Sequence, residues 1–409
     1  MSIWFALLVP IIGIVVMAVF FKKDMTWWEL ILPLAVSVIF IGISKVVTEK
    51  IAMTDTEYHG ALIVKAQYYE YYETWVQKTC SHTTYSGSGK HRTSHTVYYD
   101  CSYCDVHQPE WKVVNSLGES FSVSSGYYNQ LIKKWHGKPQ FVELNRHINY
   151  HNSWGRSYGK DGDMYQFEWD KVALSAISST TEHSYENRVK AAHSSFDFMD
   201  VTEQDIKAYS LYDYPKVDGM SQETVLGLDS VKWMTPKDKG LMRQWSTYIN
   251  GYYGKTKHAR VYFLFFANRP EIAGRYQEAL WEGGNDNELV ICIGLNTSGN
   301  GISWVYPFTW SPQRQIIPDI RQGIMESGKF DPKQIATVTI RYIGKEWKRR
   351  HFEEFSYIRV EPPLWAKIMT WIVTLLITGG VCYWSITNDY VADENSPLKT
   401  KEKRRNIRW

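Results

Sequence analysis

Three cysteines fall close together: Cys80, then Cys101 and Cys104 within the stretch YYDCSYCDVH at Tyr98–His107. A C-x-x-C pair followed by a histidine admits three chemistries: half of a zinc site, a dithiol redox pair, or a disulfide staple. A zinc ribbon needs a second ligand pair at similar spacing, whereas His82, His91, His95 and His107 are scattered. A thioredoxin-like pair sits at a helix N-terminus, where its thiolate is stabilised, and these cysteines sit in a stretch of strand character. The leading expectation is a disulfide from Cys80 to Cys101 or Cys104, formed in an oxidising compartment. A hairpin turning near Gly87 would place Cys80 opposite Ser94–Thr96. A Cys101–Cys104 loop, a zinc site and unpaired thiols therefore stay open. Cys292 lies in an apolar run and is expected in the core; Cys382 lies in an apolar span.

Other residues could bind phosphate or metal. The stretch SGSGK at Ser86–Lys90 imitates a phosphate loop, but Thr84 stands where the motif needs glycine and His91 where it needs Ser or Thr, so a plain turn is expected. His147 and His151 are four residues apart, with Asp161 and Asp163 following; without an H-E-x-x-H pattern they read as polar side chains facing solvent, with a metal site as the alternative. The turn GGNDNE at Gly283–Glu288 sets Asp286 and Glu288 before an apolar strand. Sites in α/β proteins lie at the carboxyl ends of strands, so this turn is expected to be structural. No Ser-His-Asp set, nucleophile elbow or dinucleotide fingerprint is present.

The elements that must position these groups begin with apolar spans in a chain of 409 residues. Ile3–Phe21 is a continuous apolar run without basic residues before it or a small-residue cleavage site after it, so it reads as an anchor. A second span is expected over Thr26–Val47, flanked by Trp27, Trp28 and Lys45, and a third over Ile368–Trp384. A buried core helix is the alternative for the second. The loop between the first two spans carries Lys22 and Lys23. The tail carries Lys399, Lys401, Lys403, Arg404, Arg405 and Arg408 against one Glu. Both are expected in the cytoplasm of a multi-pass protein of the plasma (inner) membrane. The central domain is then extracytoplasmic, and the tail is a topology signal or a contact for anionic lipid. Without its tail the chain is slightly acidic, which excludes a nucleic-acid footprint.

The expected fold class is a membrane-anchored α+β or α/β protein. Residues 1–49 form a transmembrane hairpin, 50–213 a β-rich region with the cysteines, 214–363 an α/β domain, 364–386 a transmembrane helix and 387–409 the basic tail. Within the β-rich region, Ala61–Thr79 and Val97–Val114 read as strands, Ser122–Trp135 as a helix capped by Ser124 or Ser125, and the stretch EHSYENRVKAA as helical. Thr235, Pro236 and Asp238 start a helix. Ala259–Phe266 and Glu288–Leu295 are buried strands. Gly301–Tyr306 is a third, Pro312–Ser327 a helix, and Pro332–Arg350 a helix whose Thr337–Ile343 has β-branched character.

This second half resembles the TPM domain, a small α/β domain of membrane-anchored bacterial proteins. The similarity lies in Asp229 followed by WMTPKD, and in LWEGGNDNELVICIG from Leu280 to Gly294. It departs from the family at Glu288, where the family has glycine, and at the offset acid Asp286. The resemblance covers about Tyr214–Ile343. It implies location and architecture, and, through one branch of the family, acid phosphatase activity. The leading expectation for function is a non-catalytic interaction or assembly module with a membrane or envelope protein partner and no cofactor. The alternative is a TPM-like hydrolase using Asp229, Asp286 and Glu288 around a divalent metal ion.

Overall fold

The computed structural model describes residues 2–20, 27–86, 93–144, 163–170, 173–192, 199–281, 284–296, 301–311, 313–349 and 357–387. A 3-10 turn at Ile3–Leu7 continues into α1 (Leu8–Phe20), and α2 (Trp27–Met53) is followed directly by β1 (Thr54–Tyr69). Next come β2 (Tyr72–Val76), β3 (Thr79–Ser86), β4 (Thr93–Asp100), β5 (Tyr103–His107), β6 (Glu110–Asn115), β7 (Ser120–Val123) and α3 (Ser125–Trp135). After β8 (Gln140–Val142), β9 (Met164–Glu168) and β10 (Ser178–Glu186) stand the short helices α4 (Arg188–Ala191) and α5 (Glu203–Tyr209). Three two-residue strands follow: β11 (Val217–Asp218), β12 (Ser221–Gln222) and β13 (Val225–Leu226). The chain continues through α6 (Pro236–Lys257), β14 (Arg260–Ala267), α7 (Ile272–Leu280), β15 (Glu288–Leu295) and β16 (Ile302–Thr309). It ends on α8 (Ile316–Met325), α9 (Pro332–Glu346) and α10 (Leu364–Thr387). Two compact units result: Met1–Glu57, Ser184–Phe198 and Arg350–Trp409 in one, Tyr58–His183 and Met199–Arg349 in the other.

In the first unit, α1, α2 and α10 pack on one another. Two stretches, Ile31–Met53 and Leu364–Ser385, are long and apolar enough to cross a membrane, and only 22% of each is buried; a soluble core helix would be mostly buried. Ile3–Val19 is apolar but shorter. The burial is inverted relative to a water-soluble bundle. Ile12, Val19, Ile39, Val46, Leu375 and Leu376 face outward, while Ser37, Thr370, Thr374 and Thr378 are buried. Ser44 Oγ and Thr370 Oγ1 lie 2.7 Å apart, and Ser37 Oγ and Thr378 Oγ1 3.5 Å. Small hydroxyl residues at i, i+4 spacing let helix backbones approach and bond where apolar surface supplies no contrast. The basic tail lies outside the described residues.

The second unit holds two larger sheets. One runs β7-β6-β1-β9-β8, with β10 also on β1. Its inner face, with Ile63, Ala66 and Val113, packs on Tyr128, Leu131 and Trp135 of α3. That helix is capped by Ser124, whose hydroxyl accepts from Tyr127 N, and stops at His136 in the left-handed region. The stretch expected to be helical divides instead: Glu182–Glu186 completes β10, and only Arg188–Ala191 is helix. Alternation of Thr, His and Tyr with Glu along a sheet surface outweighs the weak helical periodicity there.

The other sheet runs β13-β14-β15-β16, parallel except for the last pair. Val261, Phe263, Phe265, Ile291 and Ile293 face α6, α8 and α9 on one side. Tyr262, Leu264, Phe266, Val290 and Cys292 face α7 on the other. Burial on both faces explains the unbroken apolar runs. Helix α6 opens as its capping residues predict, with Thr235 Oγ1 accepting from Asp238 N at 3.1 Å. Thr337–Ile343 is helix, not strand: Thr337 and Thr339 donate to the carbonyls four residues back, at 2.7 and 2.8 Å, and Ile335, Ala336 and Ile343 join the core. Both sheets belong to one unit, so the boundary expected near residue 213 falls inside it. Close packing joins them: a Cβ on Gly60 of β1 would lie 2.3 Å from Asn250 O, and one on Gly254 of α6 would lie 2.2 Å from Gly60 O.

Candidate functional site

The acidic candidates do not converge. Asp229 follows β13 in a single 3-10 turn. Its side chain is 78% exposed and pairs with Arg243 at 2.9 Å and Lys239 at 3.9 Å. Glu288 is the first residue of β15 and fully buried, and Asp286 is buried beside it. The parallel register places β13 beside the later half of β14, so Asp229 lies toward the carboxyl end of the sheet. Glu288 is at the opposite, amino end: Leu226, the last residue of β13, is level with Cys292, four strand steps or about 13 Å beyond Glu288, and Asp229 follows after it. Strand direction thus sets Asp229 apart from the neighbouring Asp286 and Glu288, with which it was expected to share a metal ion. Among the described residues, no group of three His, Cys, Asp or Glu is placed to hold a metal ion.

Glu288 belongs instead to a buried chain of polar groups that sequence reasoning missed. Arg260, fully buried, donates from Nη2 to Gln222 Oε1 at 2.6 Å and to Thr180 Oγ1 at 3.1 Å. Tyr262 OH donates to the same Gln222 oxygen at 2.9 Å and lies 3.0 Å from Tyr214 OH. Tyr214 OH donates to Glu288, which also accepts from Asn285 Nδ2 at 2.7 Å and Asn285 N at 3.2 Å. Arg260 and Glu288 are register partners, yet among the described residues their charges connect through Gln222, Tyr262 and Tyr214 and not by direct contact. Burial pushes the Glu288 carboxyl up, against the lowering pull of Tyr214, Asn285 and Arg260. Burial also raises both tyrosines. Such a network holds its protons and locks strand ends. The signal in the sequence was a charged residue at the head of each otherwise apolar strand, Arg260 and Glu288.

The cysteines resolve differently. Cys80 and Cys101 form a disulfide with Cα atoms 5.8 Å apart. The hairpin pairs Ser86 with Thr93 and Cys80 with Tyr99, not with Ser94–Thr96, and this register brings Cys80 diagonal to Cys101. Cys104, expected as a possible third member, is a free thiol. Desolvation and the Glu73 carboxylate, 3.7 Å from its sulfur, hold it above the ordinary thiol range, the reverse of a reactive cysteine. His107 stacks on Tyr72 at 4.1 Å. A second unforeseen cluster gathers His59 on β1, His183 on β10 and His258 at the end of α6, with ring centroids 4.2 and 5.3 Å from His59 and Glu119 Oε1 3.3 Å from His183. His147, His151 and Asp161 lie outside the described residues, as does SGSGK beyond Ser86; Asp163 Oδ1 accepts from Leu144 N at 3.4 Å.

The disulfide secures a two-stranded ribbon, β3 with β4, whose side chains are exposed on both faces except for half-buried Cys80. Tyr98 is 71% and Tyr85 62% exposed. Large rigid amphipathic rings set among small hydroxyl residues form contact surface at low entropic cost. The chain matches no protein-family model, no curated relative and no solved structure.

Proposed function

We propose that this protein is a non-catalytic contact module, held at a membrane by a bundle of three apolar helices and meeting its partner through the stapled ribbon. The observation that carries the reading is the ribbon itself: an isolated pair of strands is marginal in water, yet this one is cross-linked and bears exposed tyrosines, with no core beneath it among the described residues. Separation of Asp229 from Asp286 and Glu288 weighs against the hydrolase alternative. The inverted burial of α1, α2 and α10 supports three membrane spans. Lys22, Lys23 and the basic tail support a cytoplasmic C-terminus and an extracytoplasmic central domain, and an oxidising compartment suits the disulfide. The order of α6, β14, α7, β15 and β16 supports a TPM-like architecture for the second half.

Two measurements test the reading. A reporter active only in the cytoplasm, fused after Lys50, stays silent; a strong signal there reverses the orientation. Purified protein with Mg²⁺ or Mn²⁺ does not turn over phosphate esters, whereas a metal-dependent activity lost in Asp286→Ala would establish the hydrolase.

A further inference from the structure

The pairing of β3 with β4 sorts the ribbon's side chains into two unlike faces. Partners directly opposite share a face, and the face alternates along each strand. One face carries Cys80 with Tyr99, His82 with Val97, Thr84 with His95, and Ser86 with Thr93. The other carries Ser81 with Tyr98, Thr83 with Thr96, and Tyr85 with Ser94. Every side chain in these last three pairs ends in a hydroxyl, and none is charged. Asp100, opposite Thr79 at the base, is occupied by Ser102. Thr83 and Thr96 hydroxyls meet at 3.0 Å across the centre. Tyr98 and Tyr85 stand at opposite ends, on different strands.

Size and chemistry choose the occupant. The three pairs run from Ser81 to Tyr85, four strand steps or roughly 14 Å, and two strands' width adds about 10 Å, a face on the order of 150 Å². A stable protein interface needs about 800 Å² per partner. A narrow strip suits a narrow, elongated ligand. Uncharged hydroxyls both donate and accept, so they complement a ligand of uncharged hydroxyls and give no advantage to an ionic one. The Tyr98 ring, 71% exposed, offers an electron-rich face to the apolar C–H face of a sugar ring. The staple keeps the strip in shape before binding, which limits the entropy lost on association.

Resting on the contact role assigned to the ribbon, we propose that the face formed by Ser81, Thr83, Tyr85, Ser94, Thr96 and Tyr98 binds a neutral polysaccharide chain.

The test uses full-length protein in detergent micelles, with the disulfide verified by mass spectrometry, on an array of neutral and acidic oligosaccharides, followed by calorimetric titration of the best neutral hexasaccharide. Binding is expected to prefer neutral sugars. Tyr98→Ala should weaken it at least tenfold and Thr83→Val with Thr96→Val at least threefold, while Thr84→Ala with His95→Ala on the opposite face should leave it within twofold. All variants must retain the disulfide and the parent melting temperature. No neutral sugar bound, a preference for acidic sugars, or equal losses from both faces would overturn the proposal. A photo-crosslinking residue at Ser94, used in native membranes, separates the two levels. A defined protein adduct without sugar binding overturns the polysaccharide and keeps the contact role; neither adduct nor sugar binding removes both.

Discussion

Removing the disulfide should loosen the ribbon and leave the rest of the fold intact. Cys80 and Cys101 are 21 residues apart in sequence. The chain-entropy relation for a loop of that length gives about 3 kcal/mol at 25 °C. Most of the enclosed side chains are exposed and make no core, so the loss falls on local opening of β3 and β4 and not on global unfolding. In the double variant Cys80→Ser, Cys101→Ser, hydrogen exchange at amides across the β3–β4 ladder should accelerate roughly two-hundredfold, the equivalent of that energy. Amides of β14 and β15, buried on both faces, should keep their protection, and the melting temperature should move by less than about 2 °C. Exchange unchanged in the ribbon would refute the reasoning. So would a melting temperature lowered by many degrees, because the ribbon would then be part of the global cooperative unit.

Three further outcomes follow from the core. Asn250 Nδ2 donates to Val261 O at 2.9 Å, and its Oδ1 accepts from Val261 N at 2.8 Å; Asn250→Leu leaves both backbone groups buried without that partner and should cost about 2–5 kcal/mol, read by chemical denaturation, with a loss under about 1 kcal/mol counting against the bonds. Gly60→Ala sets a methyl carbon 2.3 Å from Asn250 O and should destabilise by more than about 3 kcal/mol or abolish expression, whereas a parent-like melt would show that β1 and α6 are not in such close contact. Because burial raises Glu288 above its ordinary value, the fold keeps a proton that the unfolded chain has released. Its contribution is full below the unfolded value and is lost as pH rises through the folded one. Glu288→Gln should therefore lose less stability than the parent as pH rises above the ordinary carboxyl range of about 4, and parallel melting curves against pH would contradict this.

Local signals with a backbone mechanism were legible. Ser124 and Thr235 cap helices where their spacing predicted, and the apolar runs of β14 and β15 are strands buried on both faces. What escaped depended on distant partners. The turn holding Asp286 and Glu288 is polar in sequence but buried in the fold, where Asn287 Nδ2 donates to Tyr58 O, 229 residues away. No composition of six residues encodes that. The hairpin register differs from the expected one because Gly87 is only one of several turn-compatible residues in the sequence before Thr93, and register is fixed only once both strands are paired. Cys101 rather than Cys104 follows from that register. The histidine cluster was invisible for the same reason, since β1, β10 and α6 supply one ring each.

The hydroxyl seam joining α2 to α10 spans almost the whole chain: Ser44 meets Thr370 across 326 residues, and Ser37 meets Thr378 across 341. At ordinary rates of synthesis the ribosome needs on the order of tens of seconds to travel that far. During this interval the two N-terminal helices exist without their third neighbour, and Ser37 and Ser44 have no Thr378 or Thr370 to meet. The bundle is thus closed by α10 only after the residues of both sheets have been made. A chain cut short anywhere before Leu364 keeps its first helices but presents an open seam, which gives cellular quality control a mark by which an unfinished molecule differs from a finished one.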